Sequence, residues 1–148
     1  VPYASTNYHV SFYHPTSWKV ACDQSSGTWL LIDPAARYST CPQGDGIIGI
    51  FIASGAAGAQ PSGLSLISTN PSLYSNTHQS MVTVDGVSGT RITGDQTAGQ
   101  GSGSSQVEYD FTTGARTFNF LAIVSAPGAT TITAAQFDQF VQTVSFSG

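Results

Sequence analysis

Two stretches constrain this chain more than any other feature. Residues 47–53 (IIGIFIA) and 117–124 (TFNFLAIV) carry apolar side chains at both odd and even positions. Side chains of a strand alternate between its faces, so a run that is apolar on both must be covered on both. These two strands therefore belong inside a sheet, away from its edges.

Shorter segments supply the rest of the sheet. From Tyr8 to Tyr13 the chain places Tyr8, Val10 and Phe12 on one face and His9, Ser11 and Tyr13 on the other, the period of a half-buried strand. His14-Pro15-Thr16-Ser17 turns the chain, and residues 18–22 resume a strand with Trp18, Val20 and Cys22 on one side. A turn at Ser25-Ser26-Gly27 leads to a third strand over residues 28–33 (TWLLID). Connections this short imply antiparallel neighbours. Residues 81–84 and 87–93 flank Asp85-Gly86, which suits the positive φ angles of a tight hairpin turn. Val107, Tyr109 and Phe111 then share a face, and a turn at Thr113-Gly114 leads into the second two-faced strand. Residues 54–63 and 99–105 (GQGSGSS) read as mobile loops. Residues 64–77 fit neither template, and Pro71 would interrupt a helix there.

The last element is a helix. Thr133 and Gln136 form a capping box, and Ile132 with Phe137 can staple its entry. Phe137, Phe140, Val141 and Val144 follow at i, i+3, i+4 and i+7, an apolar stripe that has to pack on the sheet. Phe146 ends the chain in a short extended docking segment. The fold class is therefore α+β: a twisted antiparallel sheet of six to eight strands with a C-terminal amphipathic helix.

The 148 residues read as a single domain, 1–148, large enough to bury roughly 70% of its unfolded surface. An apolar fraction of 40% with eight Phe and six Tyr excludes a disordered segment. Charged residues make up 8% against roughly 25% in an average domain; Ser, Thr and Gly supply the polar surface instead, as suits a secreted, extracellular or cell-envelope-facing protein. The four cations Lys19, Arg37, Arg91 and Arg116 are scattered in a chain of net charge −4. No basic stripe is available to displace counterions from nucleic acid or to hold an anionic membrane. No apolar run approaches the ~20 residues of a bilayer-spanning helix, so membrane insertion by this segment is not expected. Val1-Pro2 opens the chain without a charged n-region or an apolar h-region. We expect a leader or anchor to have been removed, the domain being secreted or the soluble part of an anchored protein.

Cys22 and Cys41 are the only cysteines, and in an oxidising compartment they are expected to form a disulfide. The bridge would tether an irregular segment containing Pro34, Pro42, Gly44 and Gly46. Without a C-x-x-C or a nearby His pair no metal site is expected, and the thiols lack a local basic neighbour that would make one catalytic.

No catalytic apparatus is visible. Gly101-Ser102-Gly103 is not a nucleophile elbow, and His78, Ser80 and Asp85 match no local arrangement for nucleophilic catalysis. Glu108 and Asp110 share the strand face opposite Tyr109 and read as exposed, solubilising carboxylates. His9, His14 and Asp23 lack a metal-ligand spacing, while Asp23 and Asp33 read as turn residues. No phosphate-binding glycine motif is present, and no cofactor is expected. Trp18 is expected in the core. Trp29, with Tyr13 and Tyr38, either marks a surface that contacts a carbohydrate or a protein, or is buried beneath a second helical layer.

The order HVSFYHPTSWKV, VTVDGVSGTRI and TAAQFDQFVQTVSF resembles the PsbP-like superfamily. That group includes the photosystem II extrinsic protein, a Ran-binding relative and bacterial secreted or sensor-attached domains. The resemblance implies an α-β-α sandwich whose members act by binding other macromolecules, with no catalytic motif to carry over. Trp18, Gly89 and Phe137 match it as fold determinants. The chain departs from it in lacking a clear middle helix and in its two cysteines.

The sequence thus reads as a non-catalytic extracellular binding or sensor/accessory module. A rigid sheet displays residues 33–46, 54–63 and 94–105 to a protein or cell-envelope partner, with Tyr13, Trp29 and Tyr38 as candidate ligand-binding residues. The alternative is a secreted hydrolase whose site is assembled from distant residues such as His78 and Asp85.

Overall fold

The computed structural model of the chain describes residues 1–25, 28–42, 47–57, 64–99 and 101–147. Parts of the expected turn at Ser25-Ser26-Gly27 and of the loops over 33–46, 54–63 and 99–105 lie outside the described residues. The chain forms two sheets. The larger has seven antiparallel strands in the order β3 (Lys19–Cys22), β4 (Leu30–Asp33), β5 (Ile50–Ala56), β9 (Arg116–Ser125), β8 (Ser105–Thr112), β7 (Val87–Gln96) and β6 (Tyr74–Val84). The smaller places β2 (Val10–Tyr13) between β1 (Pro2–Ser5) and β10 (Ser145–Phe146). The two-faced stretches are direct neighbours, β5 pairing with β9 from Ile50↔Ala122 to Ala56↔Arg116.

One face of the large sheet is covered by α1 (Ala134–Val141) and the small sheet. The capping box forms as expected: the Gln136 N–H donates to Thr133 Oγ1 at 3.1 Å and the Thr133 N–H to Gln136 Oε1 at 2.9 Å. Phe137, Phe140 and Val141 are buried, and the Phe137 ring meets Tyr109 edge-on at 5.5 Å. A polar clamp fixes the helix to β7 and β8. Asp138 accepts two bonds from the Arg91 guanidinium, at 2.9 and 3.0 Å, and one from the Tyr109 hydroxyl. Burial and the Asp138 carboxylate raise the Tyr109 pKa, which keeps the phenol a donor. Phe146 docks as an extended exit, its ring 4.8 Å from Phe118 and 5.1 Å from Phe111.

The small sheet corrects one expectation. β2 does not pair with β3. The turn after Tyr13 carries the chain from the small sheet into the large one, and β2 finds partners at both ends of the sequence. Its regular part starts at Val10 because His9 takes a left-handed φ of 59°, though Tyr8, Val10 and Phe12 all face the core as the alternation requires.

A bulge corrects a second. Val20 pairs with Ile32 but Cys22 with Leu31, so two steps on β3 match one on β4. The extra residue transfers Cys22 from the face of Val20 to the other face, where it is bonded to Cys41 as expected.

The ambiguous segment over 64–77 resolves into a single 3-10 turn, Pro71–Leu73, followed at once by β6. The hairpin at Asp85-Gly86 forms with φ of 52° and 73° and is longer than the alternation had indicated. No second helical layer is present among the described residues. The second face is covered instead by irregular backbone, with Leu66 and Ile67 fully buried, and by the disulfide-tethered segment around Trp29, Tyr38 and Cys41. The glycine-rich loop is also less free than its composition indicates. The Gly103 N–H donates to the Gln96 carbonyl and the Gln96 N–H to the Ser104 carbonyl, both at 2.8 Å.

Gly89 faces Phe111 across the β7–β8 pair. A β-carbon there would lie 2.4 Å from the Phe111 ring and from the Asp110 carbonyl oxygen, inside any allowed contact. Gly89→Ala should therefore destabilise the fold by about 2 kcal/mol or more, as overpacked cores do, read as a lower urea midpoint; an unchanged midpoint would show that the β7–β8 pair yields. Replacing Cys22 and Cys41 by Ser should cost about 3 kcal/mol, the chain-entropy value for a loop of this size. A double variant as stable as the oxidised protein would mean that cover on the second face does not depend on the tether.

Candidate binding cleft

Asp33 closes β4 opposite Lys19, and β5 restarts from the same end of the sheet. Two adjoining cavities open there, on either side of Trp18 and Gln136. The larger, about 510 Å³, lies between the turn after β2 and the outer face of α1. The turn is set by the Trp18 N–H donating to the Pro15 carbonyl at 3.0 Å. This holds the Trp18 ring 5.8 Å from Phe140, which itself packs on Phe12 at 5.1 Å. Tyr13 stands on the opposite rim with 61% of its surface exposed; its N–H donates to Thr143 Oγ1 at 3.0 Å just beyond the helix. Gln136 and Gln139, one turn apart, project into the same space. The polar lining is thus hydroxyl, amide and imidazole.

The smaller cavity, about 210 Å³, continues beyond Trp18 between residues 34–37, Ile48-Gly49 and residues 130–132. Its one cation is committed: Arg37 Nη2 donates to the Thr130 carbonyl at 2.8 Å and Nε lies 3.5 Å from Asp33. Asp33 is fully buried and accepts the N–H groups of Ala35, Arg37 and Tyr38. A turn residue in the sequence, it is the anchor of the loop that forms this wall.

Of the three aromatics singled out in the sequence, only Tyr13 lines the cleft. Trp29 and Tyr38 pack on the second face around the disulfide, the Trp29 ring edge-on to Phe51 at 5.1 Å and the Tyr38 hydroxyl accepting the Ile48 N–H at 3.0 Å. Trp18 is half-buried; it packs on the core as expected and also walls both cavities. The glutamines were missed because a capping box and a helix exterior read as local structure.

The described strand ends do not send all three loops off the sheet at one place. The chain leaves β4 after Asp33 and β7 after Gln96 at the cleft end, whereas it departs after Ala56 at the opposite end, where the Ala57 N–H reaches the Ala115 carbonyl. His78 and Asp85 are likewise apart. Seven residue steps along β6 separate them by roughly 23 Å, and Asp85 is engaged by the Phe146 N–H.

Glu108 is the clearest correction on the second face. It is not a solubilising carboxylate but fully buried, accepting the N–H groups of Ile67 and Ser68 and, at 2.7 Å, the Ser68 hydroxyl. Asp110, beside it on β8, is partly buried and takes a hydrogen bond from Asn119. Burial, then the neighbouring Asp110, raises the Glu108 pKa to about 8 against the donors that favour the carboxylate.

The seven-stranded architecture has a counterpart among solved structures. The chain is similar to the solution structure of cyanobacterial PsbP (CyanoP) from Synechocystis sp. PCC 6803, with a TM-score of 0.59 and 12% identity over 99% of this chain and 91% of that one. The fold is PsbP-like. A crystal structure of a protein from Bacteroides thetaiotaomicron VPI-5482 matches with a TM-score of 0.51 and 12% identity, over 99% of this chain and 48% of the other, so the chain spans about half of that protein. No protein-family model matches the chain, and no curated protein does. At this identity the PsbP-like likeness carries the fold alone.

Because the folded pKa of Glu108 lies above its value of 4.5 in the unfolded chain, the native state retains a proton that the unfolded state releases. Stability contributed here is complete below the unfolded pKa and is lost as pH rises toward the folded one. Glu108→Gln should remove that slope, matching the parent near pH 4 and exceeding it at pH 8.5. Urea midpoints across this range check it; parallel curves for the two proteins would place the titration elsewhere.

Proposed function

We propose that this chain is a non-catalytic binding or accessory module, working outside the cytoplasm, which holds a cell-envelope or protein partner in the cleft beside Trp18. The observation that carries the reading is the cleft itself: a 510 Å³ cavity, within the roughly 300–1,000 Å³ of small-ligand sites, with an exposed aromatic rim on a sheet whose core is closed. Its walls are fixed by the capping box, by the Trp18 N–H to Pro15 carbonyl bond in the turn and by the tilted packing of Trp18 and Phe12 on Phe140, so the cleft is preorganised and loses little entropy on binding. The Cys22–Cys41 bridge and the low charge support an oxidising, extracellular setting. No helix of the described residues is long and apolar enough to cross a membrane.

Sedimentation with envelope preparations from the source organism tests this. The parent chain, and a control carrying Met81→Ser at an exposed position on β6, should co-sediment. Tyr13→Ala combined with Gln139→Ala should lose most of the bound fraction while keeping the parent's melting temperature within about 2 °C. Equal retention of the double variant would remove the cleft from the function.

A further inference from the structure

We propose that the cleft is a carbohydrate site that takes a neutral glycan chain across Trp18. The inference rests on the binding reading above and adds the class of ligand. Charge comes first. The described lining of the larger cavity holds no carboxylate, ammonium or guanidinium, and Arg37 next door is already held by Asp33 and Thr130. A phosphate or carboxylate ligand would surrender its hydration without a cation to meet it, and an ammonium without an anion.

The polar groups present point to hydroxyls. Ser17 and Gln139 offer a hydroxyl and an amide, which both donate and accept hydrogen bonds, and the His14 ring, whose Nδ1 is held by the Pro15 carbonyl at 2.8 Å, adds Nε2 as an acceptor. Sugar hydroxyls do both as well, in alternation around the ring. The Gln136 carbonyl oxygen is used by the capping box, which turns its amide N–H₂ toward donation. A pyranose also has an apolar face of C–H groups, and the exposed Tyr13 ring and half-buried Trp18 ring supply flat apolar bodies with polar tips to match it. The shape agrees. The cleft is concave, and the second cavity sharing Trp18 and Gln136 extends it, so a polymer has room on both sides of the indole.

The test uses the full chain carrying Trp29→Phe, which leaves Trp18 as the only tryptophan. Its fluorescence is followed during titration with cellohexaose, chitohexaose and maltohexaose, and with decaproline, a peptide that also seeks aromatic grooves. The expected result is a saturable change with at least one hexasaccharide, insensitive to salt, and about tenfold weaker binding in Tyr13→Ala or Gln139→Ala. No saturable change with any of the three, or saturation by decaproline alone, overturns the proposal. If envelope retention nonetheless depends on Tyr13 and Gln139, the binding reading stands and only the ligand class is wrong. If retention is indifferent too, both fall.

Discussion

Strands β5 and β9 are apolar on both sides, and the rest of the molecule is arranged around the need to keep water from both. The two faces meet that need by different physics. On the first, a helix and a small sheet bring elements whose backbone groups are already paired, so the contact is mainly apolar, filled by Phe12, Phe111, Phe118, Phe137 and Phe140, with the Asp138 clamp at its margin. On the second, the cover among the described residues is irregular chain, and irregular chain arrives with N–H groups that still need acceptors. The sheet provides them. Glu108 takes the amides of Ile67 and Ser68 and the Ser68 hydroxyl. A buried carboxylate in the middle of a sheet is the consequence of covering that face with a loop.

The same asymmetry explains what could be read from the sequence. Period-two alternation identified the faces of β2, β8 and the two central strands, and the C-terminal helix was legible down to its cap, because these features are local. Alternation reports which side a residue takes, not what lies on that side. Glu108 and Asp110 were placed on the correct face and assigned the wrong environment, since nothing local to β8 reveals that residues 64–70 return across it. Cys22 failed for a smaller reason: one bulged residue in β3 reverses every later side chain.

The cleft was the least legible part. Tyr13 was selected for being aromatic and facing away from the core, but its neighbours Gln136, Gln139 and Thr143 lie more than 120 residues along the chain. They meet it because β10 pairs with β2 and draws the helix after it. Residues that are brought together by closing the two ends of a chain leave no motif. What the sequence does disclose is the chemistry available for such a site: few charges, many hydroxyls and amides, and aromatic residues on outward positions.

The small sheet has a mechanical consequence. β1 and β10 flank β2 on opposite sides and both run antiparallel to it, Pro2 lying beside Tyr13 and Phe146 beside Val10. Tension drawn between the first and last residues would therefore pull the two outer strands in opposite directions along β2. Ladder hydrogen bonds run perpendicular to the strands, so they would be loaded together in shear rather than peeled one at a time, while the Phe146 ring on Phe111 and Phe118 ties the same strand to the seven-stranded sheet.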